Sequence, residues 1–107
     1  MRRLILLLLL LGCAAPQAGQ FDSFAQCLTE SGAVMYGTEW CSHCQNQKEA
    51  FGPSFEYINF VDCDKNRYLC ESAGVEGFPT WSINGSNHAG EQSMPVLQSL
   101  SGCRIYE

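Results

Sequence analysis

The sequence predicts an α/β fold: a mixed, mostly parallel sheet with a C-terminal hairpin and helices on both faces. Short apolar runs of strand type alternate with helix-type segments between Ala33 and Ala73, and Asn84-Gly85 sits between two further strand-type runs near the end. Strands separated by helices call for crossover connections and parallel pairing, whereas Asn-Gly is the strongest short-range signal for an antiparallel hairpin.

The first residues stand outside that fold. Met1-Arg2-Arg3 is a basic start and Leu4 to Leu11 an unbroken aliphatic run. It is too short for the roughly 20 residues of a bilayer-spanning helix, and reads as an export signal over 1–12. Leu10-Leu11-Gly12-Cys13 resembles the lipobox of bacterial lipoproteins, in which cleavage precedes a cysteine that takes the lipid, although Leu11 departs from the small residue usual there. An ordinary secretory cleavage near Ala14 or Ala18 is the alternative. Lipidated Cys13 would leave 13–20 as a flexible tether and 21–107 as the domain, on the extracytoplasmic face of the membrane.

Phe21 to Ser31 reads as a helix, with Asp22 or Ser23 as cap, Phe24, Cys27 and Leu28 on one face and Gly32 as stop. Ala33 to Gly37 is a short apolar strand. Cys41 to Phe51 has helical composition and ends at Gly52-Pro53, because proline lacks the amide a helix interior needs. Tyr57 to Val61 is a second strand; Asp64 or Asn66 can cap the next helix, through Tyr68, Leu69 and Ala73 to Gly74. Pro79–Ile83 and about Asn87–Gly90 flank the Asn-Gly turn. Ser93 opens a last helix with Met94, Val96, Leu97 and Leu100 on its buried side and Gly102 at its end.

Losing Arg2 and Arg3, two of six basic residues, takes the formal net charge from −5 to −7. So acidic a domain offers nucleic acid no footprint and anionic lipid no basic helix, so membrane attachment would rest on the acyl chain. Seven cysteines in 107 residues suit an oxidising compartment. With Cys13 given to lipid, six remain, which allow three pairs in fifteen connectivities.

Cys41-Ser42-His43-Cys44 lies where a strand runs into a helix. Unpaired amides and the helix dipole favour an anion at a helix start, and the thiolate is the reactive form of cysteine. Cys41 is therefore the expected nucleophile and Cys44 the resolving thiol. An imidazolium at His43 would stabilise the Cys41 thiolate further, hence the reduced form, and make the disulfide a stronger oxidant. Trp40 is expected to form an apolar shoulder for a docking polypeptide, with core packing as the alternative; His88, in the hairpin, is expected to be exposed.

Trp40-Cys41-Ser42-His43-Cys44 followed by Val75-Glu76-Gly77-Phe78-Pro79-Thr80, Asn84-Gly85 and Gly90 resembles the thioredoxin superfamily. The resemblance implies that Pro79 is the cis-proline of a loop lying against the active cysteine, and that Phe78 and Thr80 help bind substrate. More narrowly, Phe24 to Leu28, Met35-Tyr36-Gly37, Cys44 to Lys48, Tyr57 to Cys63 and Ser101-Gly102-Cys103 look like the thioredoxin-like domain fused to bacterial vitamin K epoxide reductase homologues. That likeness implies an oxidase that takes electrons from cysteine-containing protein substrates and hands them to a membrane quinone reductase, here expected to be a separate protein. No cofactor or metal is expected, and the domain is expected to be a monomer. The chain departs from the pattern at Ser42, where oxidases often have proline, and at Met35, where thioredoxins carry a buried acid six residues before the first cysteine. Glu39 is nearer the surface and is not assigned that acid's role.

Cys63 and Cys70 bracket a strand-to-helix turn, and their pairing would close a small loop; Cys27 and Cys103 would join the first helix to the chain end. On the chain-entropy view the two are worth about 2.5 and about 4.5 kcal/mol. The functional alternative is that one pair relays electrons to or from Cys41-Cys44. The rival readings of the whole are a disulfide reductase or isomerase, a metal-binding module built on Cys41, His43, Cys44 and His88, and a purely structural dithiol.

Overall fold

A computed structural model describes residues 19–106; the expected signal peptide, Cys13 and all of the tether but Gly19 and Gln20 lie outside the described residues. The elements are α1 (Asp22–Glu30), β1 (Val34–Gly37), α2 (Ser42–Phe51), a 3-10 segment (Gly52–Tyr57), β2 (Phe60–Asp62), α3 (Arg67–Ser72), β3 (Thr80–Ile83), β4 (Ser86–Ala89) and α4 (Met94–Ser101).

The four strands form one sheet in the order β2-β1-β3-β4. It is mixed, but mostly antiparallel rather than mostly parallel: β1 and β2 are joined in parallel across α2, while β3 runs antiparallel to both β1 and β4. The reason lies in the second crossover. Tyr36, near the end of β1, pairs with Val61 in β2 and with Thr80 at the start of β3. The chain thus enters β3 at the end of the sheet where it left β2. The connection through α3 (Arg67–Ser72) returns the chain to that same end instead of carrying it to the other.

Met35 of β1 and Trp81 and Ile83 of β3 face one side of the sheet, where Phe24, Ala25 and Leu28 of α1, Phe51 of α2 and Leu97 of α4 close the core over them. Phe51 is its hub, stacked on Phe24 at 6.2 Å between centroids and tilted against Trp81 at 6.1 Å. On the opposite face, Asn87 donates to the Ala73 carbonyl just past α3, so a helix end lies on that side too. Cys27 is joined to Cys103, and Cys63 to Cys70, with Cα–Cα distances of 5.9 and 5.7 Å.

Several boundaries differ from expectation. Phe21, not Asp22 or Ser23, occupies the cap of α1. Asp22 instead accepts from the Gly19 amide and the Ser54 hydroxyl, whose oxygen accepts from the Phe21 amide, so the helix start is fastened by tertiary contacts. Tyr57 belongs to the 3-10 segment, because the fixed φ of Pro53 suits a tight turn; β2 starts only at Phe60. In α4, Leu97 is fully buried but Val96 is exposed: one residue on turns about 100° around a helix, away from the stripe of Met94, Leu97 and Leu100.

Candidate active site

β1 ends at Gly37, and four residues later Cys41 caps α2 in an extended conformation, with Ser42 as the first helical residue. The buried Thr38 makes this turn: its Oγ1 accepts from the Cys41 amide at 3.2 Å. A threonine three residues ahead of the helix cap is a local side-chain-to-backbone signal that could have been read in the sequence. Gly37 matters by what it lacks. A β-carbon there would lie 2.6 Å from the Cys44 sulfur and 3.3 Å from the Phe60 ring, so the Cys44 thiol sits where any other residue would intrude.

Cys41 and Cys44 are both free thiols, the first partly exposed and the second buried. Burial would raise the Cys41 thiol, but hydrogen bonds from the Cys44 amide, the Cys44 thiol and the His43 amide outweigh it against the opposing Glu91 carboxylate. The result lies below the ordinary 9.0. Burial pushes Cys44 up to about 11; the Thr38 amide and the Lys48 ammonium pull the other way, while the hydrogen bond and charge of Cys41 add to the rise. One thiol is thus poised to ionise and the other to hold its proton.

His43 acts on Cys41 through its backbone amide. Its ring, 68% exposed, pairs with Glu91, Nδ1 to Oε1 at 2.6 Å. The support for the thiolate that the sequence suggested for the imidazole comes instead from the amides at the start of α2, because the first turn of a helix leaves them unpaired.

The Phe78-Pro79 peptide is cis, and the Phe78 carbonyl oxygen lies 3.6 Å from the Cys41 sulfur. Pro79 is buried and its carbonyl accepts from the Gly90 amide at 2.7 Å, which ties the loop to the end of β4. Thr80, expected to touch substrate, is only 2% exposed; its hydroxyl donates to the Gly77 carbonyl at 2.7 Å and so braces the loop. Trp40 is 68% exposed, a shoulder rather than core. It meets Phe78 edge-on at 6.2 Å, and its Nε1 donates to Asp64 at 2.7 Å. Beside it a cavity of about 280 Å³ is lined by the Cys63–Cys70 bridge, Asp64, Arg67, Glu71, Val75 and Phe78.

Met35, in the position of the family's buried acid, is fully buried in the core. Gln47, Lys48 and Glu91 carry no sequence signal that marks them as site residues, and Glu39 lacks the buried acid's place. Lys48 donates to Glu39 at 3.0 Å and lies 4.3 Å from the centroid of the Phe60 ring. Gln47, almost fully buried, accepts from the Trp81 indole and the Gln92 amide. His88 is half-buried opposite Trp81 rather than exposed, and among the described residues no group of three or more His, Cys, Asp and Glu side chains is placed to hold a metal ion.

Residues 15–98 match the thioredoxin family. The chain is 39% identical over 89 residues to the thiol-disulfide oxidoreductase LTO1 of Arabidopsis thaliana, covering 75% of this chain and 24% of that protein. It is 33% identical over 78 residues to protein disulfide isomerase-like 2-2 of Oryza sativa subsp. japonica, covering 60% and 21%. It therefore spans about a quarter or less of the length of these relatives. Among solved structures, the thioredoxin of Fasciola hepatica superposes with a TM-score of 0.49 at 18% identity, over 76% of this chain and 91% of that one.

Proposed function

The chain belongs to the thioredoxin family, and we propose that it works as a protein disulfide oxidase, exported and held at a membrane surface. It is a thiol–disulfide oxidoreductase domain whose chemistry is the Cys41-Cys44 pair. The asymmetry of that pair carries the reading: an accessible Cys41 whose thiol is lowered, and a buried Cys44 pushed up to about 11.

In the oxidised enzyme, a substrate thiolate attacks the Cys41 sulfur, the Cys41–Cys44 bond breaks, and Cys44 leaves and takes a proton. The substrate is then held to Cys41 as a mixed disulfide, with Trp40 and Phe78 beside it. A second substrate thiolate attacks the substrate sulfur and expels Cys41, which ionises readily and so leaves well. The substrate has lost two electrons and the dithiol has gained them. Regeneration passes those electrons to a membrane quinone reductase of the vitamin K epoxide reductase type, a partner supported by the sequence likeness of the domain. Cys13 as lipid carrier and 13–20 as tether would place the site beside such a partner; mass spectrometry of the native N-terminus tests this, and a chain starting at Ala14 or later would make it a freely soluble exported protein.

The deciding measurement is the reduction potential, by equilibration against glutathione. An oxidase requires a value well above about −270 mV, toward the roughly −120 mV of a dedicated oxidant. A value near the lower figure would overturn the oxidase direction in favour of a reductase. Cys41→Ser should abolish turnover, and Cys44→Ala given disulfide-bonded clients should attack them through Cys41, expel one client thiolate and accumulate the mixed disulfide.

A further inference from the structure

Glu91 lies just past β4, outside both the dithiol segment and the Phe78-Pro79 loop, yet its side chain reaches α2. Its Oε1 is 2.6 Å from Nδ1 of His43 and accepts from Nδ2 of Asn46 at 3.1 Å, two residues three apart on one face of the helix that Cys41 begins. The backbone on either side is pinned. The Gly90 amide donates to Pro79, and Gln92 exchanges two hydrogen bonds with the buried Gln47, its amide donating at 2.8 Å and its carbonyl accepting at 3.0 Å. Exposed ion pairs on free loops contribute little because both side chains must be ordered to make them. Here the loop is already ordered by contacts that do not involve the pair.

The ring of His43 is thereby engaged by a carboxylate, while the Cys41 sulfur has the Phe78 carbonyl as its neighbour. Hydrogen bonds from His43 and Asn46 also pull the Glu91 carboxyl below its ordinary 4.5, so it is ionised wherever the dithiol works. The other charges near the pair, Lys48 and Glu39, bind each other on the Cys44 side.

We propose that Glu91 is a positioning residue for the redox centre: by engaging the His43 imidazole it withholds that ring from the Cys41 sulfur, and makes the disulfide a milder oxidant than Cys-Ser-His-Cys would otherwise be. The proposal rests on the thiol–disulfide chemistry assigned to Cys41-Cys44. It makes a residue of the loop after the hairpin, remote in sequence from the motif, the one that sets how far the histidine contributes.

The test is a double-mutant cycle of Glu91→Gln and His43→Leu, read by equilibration with glutathione and by thiolate absorbance of Cys41 across pH. Glu91→Gln should shift the equilibrium toward the dithiol by about two- to fivefold, the range an exposed pair can supply, and move the Cys41 titration to lower pH. In the His43→Leu background the same change should have less than half that effect, and His43→Leu should matter more without Glu91 than with it. An undiminished effect in the His43→Leu background would mean that Glu91 acts by its own charge alone, and would overturn the proposal, as would no shift or a shift toward the disulfide. Turnover of reduced, unfolded ribonuclease by the wild type reports separately on the oxidase reading. If turnover is absent while the cycle shows coupling, that reading fails and the role of Glu91 stands.

Discussion

Iodoacetamide given to the fully reduced protein should find Cys41 first, by a margin that can be worked out. Cys44 stands at about 11 and Cys41 below 9.0. At neutral pH the thiolate fraction of Cys41 is therefore larger by about 100-fold or more. The more basic thiolate is the better nucleophile, which gives back about six- to tenfold across that gap. About tenfold or more remains in favour of Cys41 before access is counted, and access widens it, because the Cys44 sulfur lies buried under Gly37. The assay is alkylation followed by peptide mass spectrometry from pH 5 to 11, on the wild type and on Cys44→Ala. The Cys41 rate should level off below pH 9 while that of Cys44 still climbs toward 11. In Cys44→Ala, Cys41 should titrate higher than in the wild type, because the Cys44 thiol no longer donates to it although the amide at 44 remains. Equal rates, or Cys44 reacting first, would refute both the order of the two thiols and the roles built on it.

Gly37→Ala should push a methyl group against the Cys44 sulfur, cost about 1–3 kcal/mol in urea denaturation of the reduced protein and slow closure of the Cys41–Cys44 disulfide. Replacing Cys27 and Cys103 together by serine opens a loop whose ends are 76 residues apart and should cost about 4.5 kcal/mol, against about 2.5 for Cys63 with Cys70, both read from denaturation midpoints. Burial makes the folded protein hold the Cys44 proton more tightly than the unfolded chain, so in a Cys41→Ser background, where Cys41 no longer titrates, the stability relative to the Cys41→Ser/Cys44→Ala double variant should be constant well below pH 9 and fall as pH rises above it. Trp40→Ala should leave the thermal midpoint nearly unchanged, because the ring is mostly exposed, and raise KM for protein substrates more than it lowers kcat.

Elements whose signals are local could be read from the chain. The Asn84-Gly85 turn places both residues at positive φ, and Gly32, Gly74 and Gly102 end three helices in the same region of conformational space, where a side chain is costly. The dithiol could be placed at a helix start because a short apolar strand and a helical run meet there. Strand direction could not be read. Alternation of strands and helices does not say whether a crossover carries the chain the length of the sheet, and here the connection through α3 begins and ends at the same end of it, so β3 runs antiparallel.

The sequence by itself determined the α/β class and the place of Cys41 and Cys44 where a strand runs into a helix, since each follows from backbone rules acting over a few residues. Only the tertiary structure decided what surrounds them. Thr80 faces inward because its loop folds back on Gly77, and Gly37 meets Cys44 because β1 lies under α2. Glu91 reaches His43 across 48 residues of sequence. Electrostatic control of a thiol depends on distance through space, and a carboxylate brought close by the return of a hairpin leaves no trace in the spacing of a four-residue motif.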